Sequence, residues 1–304
     1  MVGSKKRSSI LVKPWVAFLA TVPALLSICL LGLFPAIINI VLSFTNYSGP
    51  FQPYEFVGFK NYIMAFQTRS EASVTVFSSL KNTMIFSFFV VLLQQPLSLL
   101  IGLLIAKKSK INTFFKALFF MPTILGISVI GFIWQLVLDP VSGPIAVFLH
   151  NLGKNSAFLG DEKIAMALVI FVAIWANFGY SMAIYIAGIQ NISDEMKEAA
   201  IIDGANPFQL VMRIIIPLLR NSFIINYWIS ISGTLAMFDI IFVLTNGGAN
   251  TTTFALYFFK LATNSSANQG AAAALSIYFS IFVSLVMIAF HSIFKKRDDL
   301  LIWE

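Results

Sequence analysis

Six long apolar runs, parted by polar stretches, set the plan of this chain. They cover about 15–44, 82–106, 114–138, 164–189, 218–244 and 270–294. Each has room for the roughly 20 residues that a helix needs to cross a bilayer. Helix is the only open choice, because a lone strand in lipid leaves its backbone N–H and C=O groups without partners. Pro23, Pro35, Pro96 and Pro122 fall inside the runs, where neighbouring helices satisfy the freed backbone groups. The pattern predicts an all-α polytopic membrane protein with six transmembrane helices.

Composition and charge add an orientation. Of the 304 residues 58% are hydrophobic and only 11% charged, where a soluble domain has about a quarter charged. The start of the chain, Lys5-Lys6-Arg7 and then apolar residues, looks like a secretory leader. However, Pro14–Phe44 is uncharged throughout, far longer than a leader's apolar core, so it is read as a retained first span. With both ends inside, Lys5, Lys6, Arg7, Lys13, Lys107, Lys108, Lys110, Lys116, Lys197, Arg213, Arg220, Lys295, Lys296 and Arg297 face the cytoplasm. That leaves outside only Lys60, Arg69, Lys81, Lys154, Lys163 and Lys260 of the 20 Lys and Arg. Cytoplasmic loops carry the excess of Lys and Arg, so the expectation is N-in, C-in. The same placement accounts for the net charge of +7 without a basic patch for nucleic acid. Cys29 is the sole cysteine, which excludes a disulfide within the chain.

The outer segments 45–81, 139–163 and 245–269 are rich in Asn, Gly, Ser and Thr and read as ordered loops. The inner segment 190–217 carries helix signals. Ser193 is placed to cap a helix whose first turn holds Asp194 and Glu195. Gly204 is placed to end it in a left-handed turn, and Asn206-Pro207 to start another. Met196, Ala199 and Ala200 are expected on one side of the first helix, with Lys197 and Asp203 elsewhere. Such a hairpin is either an interfacial amphipathic element or a knob for a soluble partner.

Within this hairpin stand Glu198-Ala199-Ala200, then three residues, Gly204, then nine residues, Ile214, one residue, and Ile216-Pro217. The spacing resembles the ATPase-docking loop of permease subunits of bacterial ATP-binding-cassette importers, with Ile216 where that family has Leu. Further likenesses follow in order: Ser43-Phe44-Thr45 with Phe56-Val57-Gly58-Phe59-Lys60-Asn61-Tyr62, then Trp175, Gly179 and Ala187-Gly188, then Phe238-Asp239-Ile240-Ile241 with Leu244-Thr245-Asn246-Gly247-Gly248. Together they are similar to the maltose and glycerol-phosphate type of carbohydrate permease, in its first-subunit branch. The resemblance implies a type I importer permease fold over 14–297, between cytoplasmic tails 1–13 and 298–304. It implies a bacterial cell-membrane location. It also implies a homologous second permease, two ATP-binding subunits, an extracytoplasmic solute-binding protein and a sugar cargo. Glu198, Ala199, Ala200, Asp203, Gly204, Ile214 and Pro217 are then the ATPase-coupling residues.

A sugar path needs hydroxyl partners and flat apolar faces, which neutral amides and aromatics supply. Asn177, Tyr180, Asn226, Tyr227 and Trp228 are the chosen candidates, among further in-span residues Gln94, Gln95, Gln135 and Tyr185. The scarcity of charge in the spans disfavours an anionic cargo. Asp239 is the acid inside a predicted span and also joins the path candidates. It lies about 27 Å along a helix from Asn221, near the outer boundary, so a second reading makes it an anchor or a cap for the turn at Gly247-Gly248. His150 and His291 lie far apart in sequence, and no catalytic role or metal is expected. No Gly-x-x-x-x-Gly-Lys-Ser/Thr loop occurs, so ATP and Mg are expected on the partner ATPase. The alternative reading is a stand-alone secondary transporter or channel for a small polar solute.

Overall fold

The computed structural model describes residues 14–49, 51–66, 74–263 and 269–301. The tail 1–13 with Lys5-Lys6-Arg7, and Arg69, lie outside them. Among the described residues the chain is helical and has no strand; an isolated bridge pairs Thr45 with Phe56.

The first run forms α1 (Pro14–Ile28), a π-helical turn at Cys29–Leu33, and α2 (Phe34–Ser43). Pro35 lacks the N–H that would bond the Leu31 carbonyl, and the widened turn ahead of it absorbs that loss. The loop that follows is pinned by Asn61, whose Nδ2 donates to the carbonyls of Ser43 (2.9 Å) and Thr45 (2.6 Å). Asn61 sits in the short α3 (Lys60–Met64).

Helix α4 (Val76–Ile105) starts ahead of the apolar run because Thr75 and Ser78 form a capping box. The third run is not one helix. It breaks into α5 (Lys110–Ile124) and α6 (Ile127–Val137), bent by 97°. Pro122 weakens the end of α5, and Leu125 and Gly126 are extended. After α7 (Pro144–Asn151), α8 (Ala165–Gln190) matches the fourth run.

The inner segment holds α9 (Asp194–Ile202), α10 (Pro207–Leu210), a π-helical turn at Val211–Ile215 and α11 (Ile216–Leu218). The fifth run also departs from a single helix. The chain turns by 66° at Leu219 into α12 (Arg220–Ala236) and breaks again before α13 (Asp239–Thr245). Pro217 stands at the first break; extended Met237 marks the second, with no Pro or Gly beside it. Helix α14 (Phe254–Thr263) and α15 (Gln269–Leu301) complete the fold, and α15 runs on through most of the expected tail 298–304. Among the described residues four helices are long and apolar enough to cross a membrane, or six if each bent pair is one span. The expected number, six, is reached only on the second count, where the fifth span would begin at Pro207, inside the expected inner segment 190–217, and end at Ala236 rather than at 244.

The central apolar core is built on α4, α8 and α13. Phe86 and Val90 of α4 meet Val169, Val172, Ala173 and Ala176 of α8, with Ile240, Ile241 and Leu244 of α13 on the same core. Gly179 lets α8 touch α5: a Cβ there would lie 2.3 Å from the Phe119 carbonyl oxygen. Small residues at helix contacts are what packing inside a bilayer demands.

Candidate functional site

Two places carry the sequence's candidates: the inner hairpin, and a cavity among α4, α8 and α12. In the hairpin each local signal has its structure. Ser193 accepts the Met196 N–H at α9's start, and the half-buried Lys197 pairs with the exposed Asp194 at 3.0 Å. Gly204 adopts φ +87°. Its N–H donates to Ile201 O (3.0 Å), and that of Ala205 to Ala200 O (2.9 Å), a Schellman end. A Cβ on Gly204 would meet nothing within 4 Å, so the backbone conformation, not space, calls for glycine there. Asn206 and Gln209 then bond each other's N–H reciprocally, at 2.8 and 2.9 Å, with Pro207 at α10's first position.

The outcome is a stiff hairpin with an open groove of about 560 Å³, lined by Met196, Ala199, Ala200, Asp203, Ala205, Arg213, Ile214, Pro217 and Leu218. The structure corrects Asp203, expected on another side. Positions 196, 199, 200 and 203 follow the i, i+3, i+4, i+7 repeat of one helical face. Glu198 is exposed and outside the groove. Sequence reasoning missed Ile202, Phe208 and Met212, apolar yet 85%, 68% and 48% exposed. The available signal was bulky apolar residues in a short inter-span segment whose neighbours are charged. The hairpin's root is buried: Ile215 and Leu219 pack on Ala106, Ile189 and Ile192. Lys116 Nζ (3.3 Å) and Gln190 Nε2 (2.8 Å) both donate to the Ala106 carbonyl at α4's end.

The cavity holds about 110 Å³, lined by Gln94, Asn177, Tyr180, Ser181, Ile229, Ser230, Gly233, Thr234 and Met237. Of the path candidates, Asn177 and Tyr180 are here; Asn226, Tyr227, Trp228 and Asp239 do not line it. Asn226 is 1% exposed, wedged between helices with Nδ2 donating to Ser181 O at 3.1 Å. Tyr227 lies against Phe223. Trp228 is turned outward against Phe290 and His291 of α15. Asp239 accepts the Ile240 N–H (2.9 Å) at α13's start. It does not cap the turn at Gly247-Gly248, which Thr245, Thr251 and Thr252 hold with their hydroxyls.

Among the other in-span candidates, Gln94 lines the cavity and donates to Ser181 Oγ (2.9 Å). Gln95 and Tyr185 are buried structural partners: Tyr185 OH donates to Gln95 Oε1 (2.9 Å), and Gln95 Nε2 to Ser230 Oγ (2.6 Å). Gln135 donates to the Val243 carbonyl. The lining residues Ser181, Ser230 and Thr234 were missed, because small hydroxyl residues in an apolar run look like ordinary helix contacts.

Comparison with known proteins follows the same lines. The family described as "Binding-protein-dependent transport system inner membrane component" matches residues 98–298. A probable ABC transporter permease protein of Pyrococcus horikoshii is 35% identical over 242 residues, 77% of this chain and 80% of that protein. A probable starch degradation products transport system permease protein of Thermoanaerobacterium thermosulfurigenes is 31% identical over 76% of this chain and 77% of its own length. Among solved structures, a chain of a bacterial ABC transporter involved in the import of the acidic polysaccharide alginate shares the fold. Its TM-score is 0.80 at 20% identity, over 93% of this chain and 96% of that one.

Proposed function

The chain belongs to the family of binding-protein-dependent transport system inner membrane components, a multi-pass membrane protein, and from that premise we propose that it is one half of the path of an ATP-driven sugar importer. The observation that carries this reading is the hairpin: a doubly capped, conformationally fixed element with an exposed apolar surface and a buried root. Surface of that kind marks a protein contact. The contact is a separate ATP-binding subunit seated on the groove of Ala199, Ala200, Asp203, Ile214 and Pro217, with Ile202 and Phe208 beside it. Gly204 fixes the turn that presents this face. Glu198 acts from the exposed rim.

The remaining parts follow. Two ATP-binding subunits hold ATP and Mg and hydrolyse the nucleotide; this chain carries no catalysis. A homologous permease supplies the other half of the path, and a solute-binding protein delivers cargo to the loops at 45–66, 139–163 and 245–263. Both chain ends and the hairpin lie in the cytoplasm, as the distribution of Lys and Arg requires. The cargo is a saccharide, as for the starch-product relative. The hydroxyls, amides and Tyr180 ring around the cavity fit it, with Asn177 and Tyr180 as its contacts. Binding of ATP moves the hairpin, and only a contact that differs between the two states shifts the balance of the path.

The test is Gly204→Val in the assembled transporter. A β-branched residue at φ +87° is strained in any surroundings. Membrane insertion is expected to persist while uptake of labelled oligosaccharide falls at least tenfold and the ATP-binding subunits are lost on purification. Unchanged uptake with unchanged retention of those subunits overturns the docking role. Uptake by this chain in their absence returns it to a stand-alone transporter.

A further inference from the structure

The way a movement of the hairpin reaches the cavity is built into α12. On this helix Ser222, Asn226, Ser230 and Thr234 recur every fourth residue and so form one stripe. Each meets a partner on α8 or α4. Ser222 closes on Gly188: a Cβ there would lie 2.2 Å from Ser222 Oγ and 2.7 Å from Leu219 Cδ2. Asn226 donates to Ser181 O at 3.1 Å. Ser230 accepts from Gln95, and Thr234 shares a 2.7 Å hydrogen bond with Ser87. The stripe therefore starts at the 66° elbow where the hairpin joins α12 and ends at two residues of the cavity wall, Ser230 and Thr234.

Asn226 is the informative member. Its Oδ1 is buried and has no hydrogen-bond partner, which is unfavourable in a dry interior. A residue chosen for packing alone is better apolar here. We propose that Asn226, with the Gly188–Ser222 contact, is a positioning device: it locks α12 to α8 in one register, so that the two helices flanking the hairpin move as a single lever. The hairpin is continuous with both, α8 ending at Gln190 and α12 starting at Arg220. Without the lock, a pull on the elbow slides α12 along α8 and is dissipated before it reaches the cavity. With it, the pull alters the cavity wall. This inference rests on the docking role proposed above and deepens it.

The experiment uses the complete transporter in proteoliposomes and reads sugar uptake per ATP hydrolysed, together with the melting temperature. Asn226→Leu removes the orphaned acceptor and the bond to Ser181. It is expected to leave assembly and melting temperature unchanged or raised, while uptake per ATP falls tenfold or more. In parallel, Gly188→Ala is expected to uncouple the transporter, and Gly188→Ala with Ser222→Gly to restore most of the coupling, because the second change removes the nearer collision and leaves only the end of the Leu219 side chain to shift. Unchanged uptake per ATP in Asn226→Leu overturns the lever. A raised KM for sugar at unchanged uptake per ATP also overturns it, assigning Asn226 to cargo contact. If Asn226→Leu fails to assemble, the Gly188 and Ser222 pair decides: no rescue means no lock. Loss of the ATP-binding subunits from the unmodified transporter strikes instead at the docking role.

Discussion

The first span and α8 are both uncharged apolar helices, yet they sit in the molecule in opposite ways. In Thr21–Ser43, the more hydrophobic of the two, none of the most apolar stretch is buried; in Ala165–Gln190 56% is. Hydrophobicity here goes with exposure at the surface of the chain, a surface suited to lipid, which is as apolar as any protein core. Contact with protein is marked by small and polar residues. In α8 Gly179 meets the α5 backbone and Gly188 meets Ser222, while Ser181 accepts from Gln94 and Asn226. In the first span Gly32 has nothing within 4 Å of a Cβ and Ser27 bonds within its own helix, to Pro23 O; where the span does meet protein, towards its end, a polar residue again marks the contact, Asn39 donating to Ser276 Oγ of α15 at 2.8 Å.

The contrast is broken or sharpened most strongly by paired glycine substitutions. Gly179→Ala drives a Cβ into the Phe119 carbonyl and is expected to destabilise by about 1–3 kcal/mol, the usual cost of overpacking. Gly32→Ala is expected to be neutral or to stabilise by up to about 1 kcal/mol, through helix propensity. Thermal unfolding in detergent compares them, and equal melting temperatures contradict the contrast. A smaller difference separates two polar truncations. Gln95→Leu leaves Tyr185 and Ser230 without their partner and is expected to cost about 1 kcal/mol, in the range of hydrogen bonds between membrane helices. Ser27→Ala should stay within about 0.5 kcal/mol. Chemical unfolding titrations of both report the gap, and a gap of zero removes the buried seam's energetic role.

The smallest effect lies outside both helices. Asp139, half-buried after α6, accepts from the Ser142 N–H and hydroxyl and from the Val141 N–H. These bonds, the Ser142 backbone first, hold its carboxyl below the ordinary carboxylate value. The lowered value means that its stabilising contribution is present above the unfolded pKa, about 3.9. It is lost as pH falls through the still lower folded value. Asp139→Asn should therefore melt slightly below the unmodified protein at pH 7, the difference shrinking on acidification below about pH 4. A difference that grows on acidification reverses the sign of the argument.

Helix existence and the hairpin's caps were legible in the sequence because their signals are local. Ser193, Gly204 and Asn206-Pro207 each satisfy or free a backbone group within a few residues. The 97° bend was half legible: Pro122 announces a weakness, but its angle depends on α8 packing through Gly179. The break at Met237-Phe238 has no Pro or Gly and was not legible. Nor was the difference between Asn177, which reaches the cavity, and Asn226, which locks two helices. Both are amides in apolar runs, and only the way α12 lies on α8 separates them. Asp203 was within reach of the sequence: its spacing from Met196 and Ala199 already puts it on their face.

The central claim, that the hairpin face is where a separate ATPase grips this chain, is tested most directly by a photo-activated cross-linker placed at Ala199 in the assembled transporter. The account predicts a product joining this chain to an ATP-binding subunit, with a yield that changes when ATP is added. Cross-links to lipid alone, or none to an ATP-binding subunit under any nucleotide condition, contradict it.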